Sequence, residues 1–256
     1  MNLDKNKYLV VFSGGQDSTS CLHWAIDKVK ASNPNLKVSD LKDYIKLVTF
    51  NYGQRHGIEI QAAKKIAELN KLEFDLVDIP QILRGSSSLT NKDIDLNKKK
   101  ELAEFETGIA NTFVPGRNML FLTLAANFAY SYGLANIVTG VCETDFAGYY
   151  DCRNEFIKSM QVTINQALFG SDEAIEIITP LMFLNKAETV KLANDLGAEC
   201  MESLAYSHTC YEGKFPPCGE CHACHLRARG FKDAKIVDPL IARAEKENLL
   251  NETSCK

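Results

Sequence analysis

Residues 13 to 19, Ser13-Gly14-Gly15-Gln16-Asp17-Ser18-Thr19, constrain this chain more than any other stretch. The apolar run Tyr8-Leu9-Val10-Val11-Phe12 precedes them and reads as a buried strand; Cys21-Leu22-His23-Trp24-Ala25-Ile26 follows and opens a helix-length segment. A strand, a glycine turn and a helix start, in that order, make an anion site. Glycines let the backbone bend and approach a ligand with no Cβ in the way. The N–H groups of the turn and of the first helical turn then point at whatever sits there. The expected ligand is a phosphate chain. An ordinary strand-to-helix turn capped by Asp17 or Ser18 is the plainer alternative.

Two common phosphate motifs do not fit. The P-loop needs Lys and then Ser or Thr after its second glycine, and Gln16 and Asp17 stand there instead. The dinucleotide pattern needs spaced glycines, whereas Gly14 and Gly15 are adjacent. Ser-Gly-Gly-x-Asp-Ser instead resembles the pyrophosphate loop of the ATP pyrophosphatase superfamily. That resemblance implies cleavage of ATP between its α and β phosphates with an oxygen activated as an adenylate.

A chain of 256 residues accommodates one large α/β domain, or a domain with an appendage. The net charge of -4 gives no electrostatic case for nucleic-acid binding. No apolar run approaches a membrane span, and the start, Met1-Asn2-Leu3-Asp4-Lys5, lacks a signal-peptide layout. Nine cysteines, four of them crowded between Cys210 and Cys224, fit a reduced, cytoplasmic setting better than disulfides.

Strand and helix patterns alternate along the chain, which predicts an α/β fold with a mostly parallel, doubly wound sheet. Strands are expected near 8–12, 44–50, 74–77, 136–140 and 175–178. Helices are expected from Cys21, after His56, from Met119 to Tyr132 and from about Arg153 to Phe169. Asn185 and Glu188 are spaced as a capping box for a further helix, and Gly197 stands where its C-terminal cap belongs. A long segment near 80–112, rich in Ser, Gly and charge, reads equally as a lid or as a solvated excursion. In such sheets ligands sit beyond the carboxyl ends of the strands, where residues 13–18, 51–56, 140–151 and 179–186 all fall. The division expected is a nucleotide-binding domain over 1–200, with the insertion, and a metal-binding region over 201–256.

Cys210-x7-Cys218-x2-Cys221-x2-Cys224 matches a tetrahedral all-cysteine zinc site, with Pro216, Pro217 and Gly219 supplying turns. Four thiolates leave no open position, so the metal is expected to be structural. A redox CxxC pair and an iron–sulfur cluster are the alternatives, and His208, His222 and His225 are nearby substitute ligands. Core packing is the expected role of Cys21, Cys142, Cys152, Cys200 and Cys255.

Together these residues resemble the 7-cyano-7-deazaguanine synthase family of queuosine biosynthesis, from Val10 to Phe231. The resemblance rests on residues 12–19, Asn51-Tyr52-Gly53-Gln54-Arg55-His56, Val114-Pro115-Gly116-Arg117-Asn118, Asp145-x2-Gly148-Tyr149-Tyr150-Asp151-Cys152-Arg153, Pro180-Leu181…Lys186 and the C-terminal cysteines. The stretch between Ser86 and Asn111 is long for that family, and Ser207-His208-Thr209 is a variant lead-in to Cys210. The resemblance implies an adenine nucleotide alpha hydrolase-like fold and a ligase that uses ATP. It turns 7-carboxy-7-deazaguanine and ammonia into the nitrile through adenylated acid and amide, as a homodimer with no nucleic-acid or membrane partner.

It also implies that Phe12, Ser13, Gly14, Gly15, Gln16, Asp17, Ser18, Thr19, Ser20, Cys21 and Leu22 bind ATP. Asp17 is the expected Mg²⁺ contact, because hard cations take oxygen ligands. Lys186 sits in a first helical turn, where a cation is disfavoured by the helix dipole unless a phosphate is near; a solvated lysine is the alternative. Arg117 is a candidate partner for phosphate or substrate carboxylate, or a surface arginine at a helix start. Asp145, Asp151 and Tyr149 are candidates for reading the guanine-like edge or moving protons, with helix capping an equal explanation for Asp151. Tyr52, Gln54 and Arg55 are expected to line the pocket. Relatives that join the activated acid to another amine, tRNA-modifying ATP pyrophosphatases and a zinc-knuckle binding module are the rival readings.

Overall fold

Neighbouring residues along each central strand belong to different cores, and this alternation organises the molecule. A computed structural model describes residues 3–54, 57–79, 87–91, 93–94, 111–144, 149–171 and 174–253. Five strands, β1 (Asp4–Val11), β2 (Ile45–Asn51), β3 (Phe74–Asp78), β4 (Leu134–Val138) and β5 (Glu176–Ile178), form one sheet. Their order is β3-β2-β1-β4-β5 and every pairing is parallel. Strand order therefore reverses between β1 and β4, the switch point at which such sheets open a crevice.

Leu9 and Ile137 face one core with α3 (Arg117–Tyr132) and α4 (Asn154–Phe169); Val10 and Val138 face the other with α1 (Gln16–Ser32) and α2 (Ile58–Leu69). Period-two side chains on strands covered on both faces produce this doubly wound arrangement. β4 is buried along its whole length, as a strand under helices on both sides must be.

A third layer holds α5 (Lys186–Asp195), α6 (Ala198–Tyr206), α7 (His222–Ala234) and α8 (Pro239–Thr253). Val190, Cys200, Leu204 and Phe231 share one apolar cluster, and the division expected at residue 200 runs through α6. Asn185 makes both bonds of the capping box: its Oδ1 accepts the Glu188 N–H at 3.0 Å, and its own N–H donates to Glu188 Oε2 at 2.8 Å. Gly197, expected only to close α5, also opens α6 at φ +100°. Arg227 of α7 ties this layer together, donating Nε and Nη2 to the Asp238 carboxylate at 2.7 and 2.8 Å and Nη1 to Ser207 Oγ at 2.8 Å. Most of the 80–112 segment, Asp145, Arg55, His56 and Cys255 lie outside the described residues.

Candidate active site

β1 ends at Val11 and α1 begins at Gln16, so the glycine turn sits at the switch point. Gly14 has φ +77°, and a Cβ on it would lie 2.5 Å from Ala63 N and 2.6 Å from Glu59 O. Glycine here lets α2 close directly onto the turn. Inside the turn the Ser13 N–H donates to Ser18 Oγ at 3.2 Å, the Gly15 N–H donates to Ser13 Oγ at 3.3 Å, and the two hydroxyls are 3.1 Å apart. No side chain caps α1, which leaves its first-turn N–H groups for a ligand. Gln16 is 2% exposed, and its Nε2 has no hydrogen-bond partner among the described residues. A buried amide left in that state costs free energy that a ligand oxygen would recover.

A cavity of about 610 Å³ opens beyond the carboxyl ends of β1 and β4, a size suited to a small-molecule site. Phe12, Ser13, Gly15, Gln16, Asp17 and Ser18 line it. Behind them Thr19 donates its hydroxyl to Gly15 O at 2.8 Å and Ser20 to Gln16 O at 3.1 Å, while Cys21 and Leu22 are buried in the core. The expected set 12–22 thus divides into a wall facing the cavity and a helix face that anchors it. Gly14 belongs to the anchoring side.

Asp17 and Lys186 meet in this cavity, with Lys186 Nζ 3.0 and 2.8 Å from the two carboxylate oxygens. Gly140, just past β4, holds its backbone so close that a Cβ would lie 3.2 Å from Asp17 Cβ. Gly230 of α7 does the same to Lys186, at 3.0 Å from its Cβ. Two glycines on separate elements therefore fix the backbone beneath this ion pair.

Tyr52, Glu59, Arg117, Tyr149 and His208 line another part of the cavity. Burial works against the Arg117 charge, but Tyr52 and Tyr149 beside it more than compensate and hold the guanidinium protonated. Burial pushes the Glu59 carboxyl up to about 7, against the pull of His208 and Arg117. Tyr149 pairs its phenol with the Thr112 hydroxyl. Of the other candidates, Gln54 lines the cavity, and Asp151 is not among the lining residues. The Asp151 carboxylate accepts the Asn118 N–H at 3.1 Å, near the start of α3, and burial raises its pKa. Of the cysteines expected to pack in the core, Cys21 and Cys200 are buried there; Cys142 packs against the core and also lines the cavity, and Cys152 lines the cavity. Glu59 was not singled out from the sequence. Its signal was position alone, at the mouth of a helix directly after the 51–56 block.

The C-terminal sulfurs come together as their spacing requires. The ligand atoms of Cys210, Cys218, Cys221 and Cys224 all lie within 4.8 Å of one another, with Cys218 and Cys224 at 3.9 Å and Cys221 and Cys224 at 3.4 Å. A tetrahedron of thiolates around zinc has S–S edges of about 3.8 Å, so the donor set fits. The Cys218 N–H points at Cys210 Sγ at 3.4 Å and the Cys221 N–H at Cys218 Sγ at 3.4 Å, contacts that favour the thiolate form. Cys221 caps α7 and Cys224 lies in its first turn. The cluster can coordinate a metal ion. The segment leading into the cluster meets the glycine turn, where the His208 N–H donates to Gly14 O at 2.9 Å.

The family model for queuosine biosynthesis protein QueC matches residues 7–235. A protein of Chromobacterium violaceum named 7-cyano-7-deazaguanine synthase is 45% identical over 242 residues, 94% of this chain and 95% of its own. Proteins of the same name from Gloeobacter violaceus and Bacillus subtilis are 46% and 43% identical, covering 91% and 92% of this chain and 95% and 98% of theirs. A family model that spans most of the chain and relatives 43 to 46% identical almost end to end agree, and this chain belongs to the QueC family.

Proposed function

We propose that this chain is an ATP-dependent C–N ligase that converts 7-carboxy-7-deazaguanine and ammonia into 7-cyano-7-deazaguanine. The observation that carries the reading is the family match across residues 7–235. A carboxylate oxygen of the substrate attacks the α phosphorus of ATP and pyrophosphate leaves. Ammonia then adds to the acyl carbon, loses a proton and expels AMP, giving the amide. The amide oxygen attacks a second ATP, pyrophosphate leaves again, and loss of AMP with two N–H protons yields the nitrile. Two ATP become two AMP and two pyrophosphates.

In this chemistry the protein positions reactants and offsets developing charge. The residue 13–18 turn, with the Ser13 and Ser18 hydroxyls and the open end of α1, takes the pyrophosphate. Lys186 neutralises phosphate charge at the same wall, where the α5 dipole alone disfavours a cation. Asp17 would hold Mg²⁺, whose charge would offset that of the phosphates. Arg117 serves the substrate carboxylate or phosphate, Asp145 is assigned to substrate handling, and Asp151, which does not line the cavity, holds the start of α3. The knuckle metal is Zn²⁺ with a structural role, since four sulfurs leave no site for water. A cytoplasmic homodimer without a nucleic-acid or membrane partner completes the reading.

Purified protein given the acid, ATP, Mg²⁺ and ammonium should form the cyano product and AMP by mass spectrometry. ADP in place of AMP, or unchanged acid, would sink the proposal.

A further inference from the structure

Three carboxylates line the cavity among the described residues: Asp17, Glu59 and Glu143. Asp17 is gripped by Lys186, and Glu143 is exposed to solvent. Glu59 is half-buried like Asp17, but lies near Arg117 and His208 rather than in the grip of Lys186. Its backbone is fixed by the contact of α2 with the phosphate turn, where Glu59 O would stand 2.6 Å from a Cβ on Gly14. The backbone that carries this side chain is thereby held against the phosphate turn by rigid elements, as a recognition group requires. Aromatic walls flank it: Tyr52 and Phe121 line the cavity with ring centroids 5.3 Å apart, suited to a planar heterocycle.

A deazaguanine carries two adjacent donors on one edge, N1–H and the 2-amino group. An ionised carboxylate offers two parallel acceptors and no donor. We infer that Glu59 recognises the N1–H and 2-amino edge of the substrate from its place in this cavity, with Arg117 offering donors beside it. The inference rests on the ligase reading above and adds the residue that selects the base. Burial that pushes the Glu59 carboxyl up fits a group whose charge gains donors only when the base is seated. Asp151, bonded to the Asn118 N–H, keeps its place at the start of α3.

The test compares the acid with its 2-desamino analogue. Wild-type protein should turn over the analogue with roughly ten- to hundredfold lower kcat/KM, because a site built for a donor rejects a ligand lacking it. Glu59→Gln should handle the two acids within about twofold of each other, having lost the second acceptor. Glu59→Asp should bind both more weakly yet keep the preference, which separates recognition from a merely structural role. Equal turnover of the two acids by wild type, or an undiminished preference in Glu59→Gln, overturns the inference while leaving the ligase reading intact. Wild type that consumes neither acid overturns both.

Discussion

Lys186 grips both carboxylate oxygens of Asp17 although 169 residues separate them. Each side chain belongs to the first turn of its helix, α1 for Asp17 and α5 for Lys186. A carboxylate is favoured in a first turn and an ammonium is not, so the pair removes at Lys186 a penalty that its own helix imposes. A phosphate at the same wall would do this equally well. The two helix starts form a polar cradle at the switch point rather than two separate caps.

Lys186→Met should therefore damage chemistry far more than fold. The two side chains are 14% and 31% exposed, so breaking this half-buried pair should cost about 1 to 2 kcal/mol, between the losses of exposed and buried pairs. Loss of a charge aimed at a transferring phosphoryl group costs about 10²- to 10³-fold in kcat. Steady-state AMP release and urea unfolding measure the two effects. A variant with near-normal kcat would show that Lys186 is only a partner for Asp17. Asp17→Ala should likewise abolish turnover while leaving the zinc content of the knuckle unchanged, and loss of zinc would assign it another role.

Gly14→Ala should destabilise the fold. Its φ of +77° is unfavourable to any Cβ, and the added atom would meet Ala63 N at 2.5 Å and Glu59 O at 2.6 Å. Both obstacles are backbone, so α2 must move. Strain and overpacking together should lower unfolding stability by roughly 2 to 5 kcal/mol. A urea midpoint indistinguishable from wild type would mean that the turn has room the geometry denies.

Metal removal should reach the glycine turn. Cys218→Ser takes one sulfur from the four, and the His208 N–H bond to Gly14 O at 2.9 Å connects the knuckle to the turn. Breaking a structural thiolate site should cost several kcal/mol, roughly 5 to 15 °C in Tm for a chain of this size. ATP affinity should fall in parallel. Plasma emission analysis, thermal melts and nucleotide titration follow the three quantities; metal loss with unchanged ATP affinity would uncouple knuckle from turn.

What the sequence discloses here is local. The β1–turn–α1 unit is readable because strand, glycines and helix start are contiguous, and the capping box because Asn185 and Glu188 lie three positions apart. The four cysteines announce themselves by spacing. Contacts made across the fold leave no such trace: nothing in the residues around Lys186 points to Asp17, nor around His208 to Gly14. Arg227 and Arg229 look alike in sequence, yet their side chains are 4% and 80% exposed. Helix α6 is short and α7 begins inside the knuckle, so neither carries enough regular pattern to be marked. Glu59 reads as one more acidic residue at a helix start, and only closure of α2 onto Gly14 places it in the cavity.

His23 should make the fold acid-sensitive. It is 3% exposed on α1, with Nε2 2.8 Å from Ser203 Oγ on α6. Ser203 also accepts from Asn70 Nδ2 at 3.0 Å, which frees its own proton for a neutral imidazole. Burial lowers the His23 pKa from 6.5 to about 4, with Glu199 pulling the other way. Below pH 6.5 the unfolded chain takes up a proton at this site, and the folded chain does not until about pH 4. The contribution is fully present above pH 6.5 and is lost as the pH falls through that window, about 3 kcal/mol in all. His23→Gln keeps a polar partner for Ser203 but cannot titrate, so its stability should fall less between pH 7 and 4.5, by about 2 kcal/mol. Urea midpoints of both proteins at the two pH values give the difference directly. Parallel losses would mean that another group carries the acid transition and that the imidazole is protonated within the fold.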